Sequence, residues 1–158
     1  MKILLPLLLL ASISLSAQNN EAVMVPIYQL FEGMKKGDSA IAHRAFVSNP
    51  TMYRVALDKQ NQPILRKDEL SGFLKAIGTP HKDVWNEVIW DPKIEIDGNL
   101  AQVWVQFGFF VNTTFHHCGV DVFNLIKTPQ GDWKIFYLAD TNRKDNCNVP
   151  KELTDKLK

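Results

Sequence analysis

The stretch FHHCGVDVF, Phe115 to Phe123, gathers the side chains of this sequence best able to do chemistry. It holds two of the four histidines, one of the two cysteines, and Asp121 among apolar neighbours. Histidine exchanges a proton near neutral pH. A carboxyl group in apolar surroundings gains proton affinity and becomes a hydrogen-bond donor. His117 and Asp121 are therefore the candidate catalytic pair. If the stretch is a strand, alternation puts Phe115, His117, Gly119, Asp121 and Phe123 on one side, with His116, Cys118, Val120 and Val122 on the other. Four strand residues separate the Cα atoms of His117 and Asp121 by about 13 Å. A ligand or a water would have to join them. The alternative is a strand carboxylate satisfied by neighbouring backbone or by an arginine.

A metal reading of His116, His117 and Cys118 fails on the same alternation, because adjacent strand residues point to opposite faces. Cys118 and Cys147 instead make an even cysteine count, which in an exported chain favours a disulfide. Closing a loop of about 30 residues would contribute roughly 3–4 kcal/mol in the chain-entropy account. Two free thiols are the alternative. No glycine-rich phosphate loop, nucleophile elbow or zinc-protease helix motif occurs, so no cofactor or metal is expected.

The N-terminus, MKILLPLLLLASISLSAQ, has one lysine, an apolar run and a small-residue exit at Ala17, the pattern of a cleaved secretory signal. The run is too short to span a bilayer. A buried N-terminal helix is the competing reading. Residues 1–17 are thus expected to be a signal peptide and residues 18–158 a single domain, periplasmic or secreted. Cleavage would also remove Lys2, leaving 17 basic against 17 acidic side chains. A neutral chain has no electrostatic reason to seek nucleic acid or anionic lipid. Small molecules or proteins are the expected partners.

Periodicity supplies the elements that position these residues. Val23, Ile27, Leu30, Phe31 and Met34 form the apolar face of a first helix, with Pro26 either in its opening turn or kinking it. Gly37 ends that helix, and Asp38 caps a second, SAIAHRAF. TMYRVAL alternates as a strand, and ILR is a short extended piece. KDELSGFLKAI repeats Leu70, Phe73, Leu74 and Ile77 at helical spacing before Gly78 and Pro80. Four long extended segments follow, near residues 84–96, 100–111, 115–127 and 133–140, divided by DGN, NTT and TPQGD. NTT at Asn112 fits a glycosylation sequon but reads better as a hairpin turn. Helices first and an antiparallel meander afterwards is an α+β pattern, with helices packed on one face of a curved antiparallel sheet.

This order resembles the nuclear transport factor 2-like superfamily, which includes SnoaL-like proteins and ketosteroid isomerases. The resemblance runs from about Ala22 to Asp140. Its marks are LFEGMKKGD with HRAF, then IDGNLAQVWVQF, then HCGVDVFNLIKTPQGDWKIFYLAD. It implies a cone-shaped sheet wrapped around the helices, a pocket inside it, and pairing of two copies through the outer sheet face. Such isomerases use a helix-one tyrosine, a first-strand aspartate base and a protonated strand aspartate. Those positions fall on Leu30, Arg54 and Asp121. Leucine has no donor and arginine cannot act as a base, so only Asp121 matches and isomerase chemistry is disfavoured.

The expected ligand pocket is accordingly Leu30, Arg54, His117, Asp121 and Phe123. A one-place register slip would put Tyr53 inside in place of Arg54. Arg54 beside Asp121 would hold it ionised, or would receive an anionic ligand. Phe107 and Phe109 share one strand face and Trp104 and Gln106 the other, either of which can be the inner one. Asp140 and Arg143 read as a surface ion pair. Three functions fit: an exported domain binding a small, partly apolar molecule without turning it over; an acid–base enzyme of dehydratase, isomerase or hydrolase type using His117 and Asp121; or a homodimeric interaction module with a vestigial pocket.

Overall fold

In the computed structural model, residues 7–157 are described, with side chains from residue 19 onward. Helix α1 (Leu7–Lys36) and the short helix α2 (Ser39–His43) precede strands β1 (Phe46–Leu57) and β2 (Pro63–Asp68). Helix α3 (Leu70–Gly78) leads into β3 (Trp85–Asp97), β4 (Leu100–Val111), β5 (Thr114–Lys127) and β6 (Trp133–Thr141). A helical turn, α4 (Lys151–Thr154), comes near the end. The sheet order is β2-β1-β6-β5-β4-β3.

Each expected α1 core residue is buried: Val23, Ile27, Leu30, Phe31 and Met34, with Met24 beside them. Pro26 lies inside the helix, not in its opening turn. Gly37 takes positive φ, its N–H donates to Met34 O, and the next N–H, of Asp38, donates to Gly33 O. The Asp38 carboxylate then accepts from the N–H groups of Ala40 and Ile41 and starts α2. Leu70 and Ile77 of α3 are buried, and Phe73 and Leu74 pack partly buried against the same core.

The expected all-antiparallel sheet is corrected at one pairing. β1 runs parallel to β6, while the other neighbours are antiparallel. Between β1 and β6 the chain runs through β2, α3 and the rest of the meander, the long crossover that parallel pairing requires. The helix-covered face carries Met52, Leu138, Phe123 and Val103 in one cross-strand row. Phe123 meets Phe31 of α1 edge-on, with ring centroids 6.3 Å apart.

The turn reading of NTT holds: Asn112 has positive φ, its side-chain oxygen accepts from Val84 N–H and its amide donates to Asp83. The disulfide Cys118–Cys147 is formed, with Cα atoms 5.6 Å apart. It ties the segment after β6 onto the outer sheet face, where the Val149 side chain lies over Gly108. Of the expected signal peptide, residues 1–6 lie outside the described residues, and α1 is continuous from Leu7 through Ala17. Signal segments are themselves helical when uncleaved, so that continuity is compatible with either reading. No helix among the described residues is long and apolar enough to cross a membrane.

Candidate functional site

Pairing register decides which side chains meet. Arg54 of β1 lies opposite Asp140 of β6, Asp140 opposite Asp121 of β5, and Asp121 opposite Val105 of β4. Direct cross-strand partners point to the same side. Val105 is fully buried, so this row is on the helix-covered face. Arg54 is therefore inside, and Tyr53 lies on the outer face against Tyr137, with ring centroids 6.2 Å apart. The inner residues of β4 are Phe107 and Phe109, while Trp104 is outside and exposed.

Arg54 does not pair with Asp121. Its Nε donates to both carboxylate oxygens of Asp140 (3.0 and 2.9 Å) and its Nη2 to Oδ2 (2.7 Å). The fork-on-carboxylate geometry matches the planar guanidinium. Asp140 is thus corrected from a surface partner of Arg143 to an inner partner of Arg54. Arg143 instead reaches the Asn146 carbonyl oxygen. Burial raises the proton affinity of Asp140 even against the lowering effect of Arg54.

The partner of Asp121 is a residue that sequence reasoning passed over. Glu87 of β3 lies opposite Phe109, which lies opposite His117. The row between that one and the Asp121 row contains Gly119, a position with no room for a side chain. A Cβ there would stand 2.1 Å from Thr141 O and 2.5 Å from the Phe107 ring. Glu87 lies close enough to Asp121 for each carboxyl group to alter the other's proton affinity. Two carboxylates have only acceptors, so the two groups can hydrogen-bond each other only by sharing a proton. Burial first, then the Glu87 charge, push Asp121 well above the ordinary carboxyl range. Glu87 is pushed up by burial to about 7. Asp121 is 4% exposed, and its Oδ2 has no hydrogen-bond partner among the described residues. The signal for Glu87 was present in WNEVIW: one acid between Trp85 and Ile89 on an otherwise apolar strand face.

His117 is on the expected face, but its neighbours are aromatic. Its ring sits 5.6 Å from Phe107 and 5.0 Å from Phe109, and its Nδ1 is 2.8 Å from His116 Nδ1. Burial, then the adjacent His116, lower its pKa to about 4, so the ring is neutral at neutral pH. The two histidines meet because the strand alternation breaks there. Phe109 pairs with His117 and Phe110 with Phe115, leaving His116 as an extra, bulged residue. The expectation that Phe115 shares a face with His117 is corrected accordingly: Phe115 packs on Phe110, on the outer side. Leu30 and Phe123, two of the five expected pocket residues, belong to the packed core, 1% and 0% exposed. The structure brings Arg54 and Asp121 into one row through Asp140, with His117 beyond Gly119 and against Phe109. Among the described residues no group of three histidine, cysteine or acidic side chains is arranged to hold a metal ion.

No protein-family model and no curated protein match the chain. Solved structures do. A nuclear transport factor 2-like protein with a cystatin-like fold from Novosphingobium aromaticivorans superposes with a TM-score of 0.65 at 14% identity, covering 98% of each chain. One of unknown function from Shewanella baltica gives 0.61 at 22% identity over 82% of this chain and 97% of that one. This chain has the nuclear transport factor 2-like fold. A candidate scytalone dehydratase from N. aromaticivorans shares it, with a TM-score of 0.64 at 12% identity over 86% and 91% of the two chains. Within this fold, Arg54 of β1 is ion-paired with Asp140 of β6, and β3 supplies Glu87.

Proposed function

We propose that this domain binds a small, partly apolar molecule on its helix-covered sheet face without turning it over. The carrying observation is the buried Asp121 carboxyl, whose Oδ2 has no hydrogen-bond partner among the described residues. An unsatisfied buried polar group costs about 1–3 kcal/mol, so a ligand group that satisfies it binds with that advantage. Trp85, Ile89 and Phe109, partly exposed beside Glu87, supply apolar wall. Native mass spectrometry of the protein purified from its own host tests this. A retained small molecule, lost in Asp121→Asn, supports the reading, and bare protein in every preparation counts against it.

A second reading, acid–base catalysis, is favoured by one observation. Glu87, at about 7, is poised to accept or give a proton at neutral pH. In this reading Glu87 takes the part first assigned to His117, whose neutral ring has too little proton affinity to be the base. Deuterium incorporated into a carbon position of the retained molecule in heavy water, and abolished by Glu87→Gln, would establish it.

Export is proposed on the N-terminal pattern and agrees with the formed disulfide. N-terminal sequencing of the mature chain is expected to begin at Gln18. A homodimer through the outer face is proposed on its exposed apolar side chains, Trp104 at 46% and Leu65 at 64%. Trp104→Arg is expected to shift light-scattering mass from dimer to monomer.

A further inference from the structure

We propose that His116 and His117 form a binding site for a soft monovalent metal cation, Cu⁺ or Ag⁺, held in line between their two Nδ1 atoms. The site is separate from Asp121 and does not depend on the binding reading above.

The bulge in β5 creates it. In a regular strand, neighbouring side chains point to opposite faces. Here Phe109 pairs with His117 and Phe110 with Phe115, so His116 is an extra residue and its ring comes beside that of His117. The two Nδ1 atoms stand 2.8 Å apart. The ring centroids are 5.0 Å apart, close to that gap plus one ring radius on each side. Both nitrogens therefore lie near the line joining the rings, and each points at the other. Without a metal, the contact needs one Nδ1 to donate and the other to accept. Entry of a cation sends the donor's proton to Nε2 of the same ring by way of solvent. Both Nδ1 atoms then offer lone pairs, both rings stay neutral, and no net proton is released.

Donor number and direction select the ion. Zn²⁺ takes four ligands that converge tetrahedrally, and Cu²⁺ favours a square of donors. In this pair two donors oppose, and among the described residues no third histidine, cysteine or acidic side chain joins them. Two opposed imidazole nitrogens match the linear coordination that filled-shell Cu⁺ and Ag⁺ adopt. At a metal–nitrogen distance of ~2 Å the two nitrogens stand ~4 Å apart, so the His116 ring withdraws by roughly 1 Å. His116 is exposed, and its ring neighbours are Phe109 and His117.

Charge points the same way. The charges weighing most on His117 are basic: His116, Arg54 and Lys144. Such a field opposes a divalent ion more strongly than a monovalent one. The Phe109 ring, 5.0 Å from His117 and 5.9 Å from His116, walls one side of the pair against further ligands.

Silver nitrate titrated into the untagged, disulfide-intact protein in chloride-free buffer at neutral pH tests the inference without a redox step. Long-range proton–nitrogen NMR follows the imidazoles. One silver ion per chain is expected, shifting His116 and His117 Nδ1 together and leaving the His43 and His81 rings unmoved. His116→Ala and His117→Ala, each checked for an intact fold by circular dichroism, should weaken silver binding at least tenfold. Zinc sulfate should bind the pair at least tenfold more weakly than silver. Protein loaded with Cu⁺ under ascorbate, which leaves the disulfide closed, should show two nitrogen neighbours by X-ray absorption. Silver that shifts one ring alone, leaves both unmoved, or binds as tightly after His116→Ala overturns the inference. Zinc binding at the pair as tight as silver, or three or more neighbours around copper, overturns it as well.

Discussion

Replacing Glu87 by glutamine should remove one large contribution to the fall of stability with rising pH. In the folded chain Glu87 holds its proton up to about 7, against an ordinary value of 4.5. Between those values the folded state binds more protons than the unfolded state, so the Glu87 contribution to wild-type stability falls as pH rises from about 4.5 to about 7 and levels off above. At ~1.4 kcal/mol per pH unit, the loss is on the order of 3 kcal/mol, shared with Asp121 because the two carboxyls titrate as a pair. Glutamine keeps the length and a hydrogen-bonding end but has no charge to bury. His117 acts in the opposite sense. Its folded value of about 4 lies below the ordinary 6.5, so stability rises with pH between those values. Only the difference between wild type and variant isolates the carboxyl. Urea unfolding at pH 5, 6, 7 and 8 should show Glu87→Gln gaining on wild type by about 3 kcal/mol from pH 5 to pH 8. Parallel pH profiles would refute the buried-pair reasoning.

Arg54→Leu should cost about 1–3 kcal/mol, because Asp140 then keeps a largely buried charge without its fork; the double variant with Asp140→Asn should recover most of the loss in a double-mutant cycle. Removing the disulfide with Cys118→Ser and Cys147→Ser should cost about 3–4 kcal/mol in chemical denaturation, and the same loss should follow reductant treatment of wild type. Gly119→Ala should destabilise by at least about 1–3 kcal/mol, since the methyl group would collide with the Thr141 carbonyl as well as the Phe107 ring. An unchanged melting temperature there would mean that β5 and β6 move apart without penalty.

Much of the frame was legible in the chain because it is local. The α1 stripe, the Gly37–Asp38 junction, the α3 repeat and the turn-bounded strands are written in residues a few positions apart. The inward side of β5 was legible through the family resemblance at Asp121, and alternation then placed His117 with it. Illegible were the features made by distant pairings. The parallel register of β1 on β6 brings Arg54 to Asp140 across 86 positions, and nothing near either residue encodes it. The bulge at His116 adds one residue to β5, which turned Phe115 outward and set the two histidine rings together. Glu87 was readable as a lone acid on an apolar strand face, but its meaning depended on Gly119 leaving room for it to reach Asp121.

The most direct measurement is a carbon-13 NMR titration of the Glu87 and Asp121 side-chain carboxyls in the intact protein. Asp121 should remain protonated at neutral pH while Glu87 changes charge near 7. Two carboxyls that each ionise below about pH 5 would contradict the raised proton affinities and the site reading built on them.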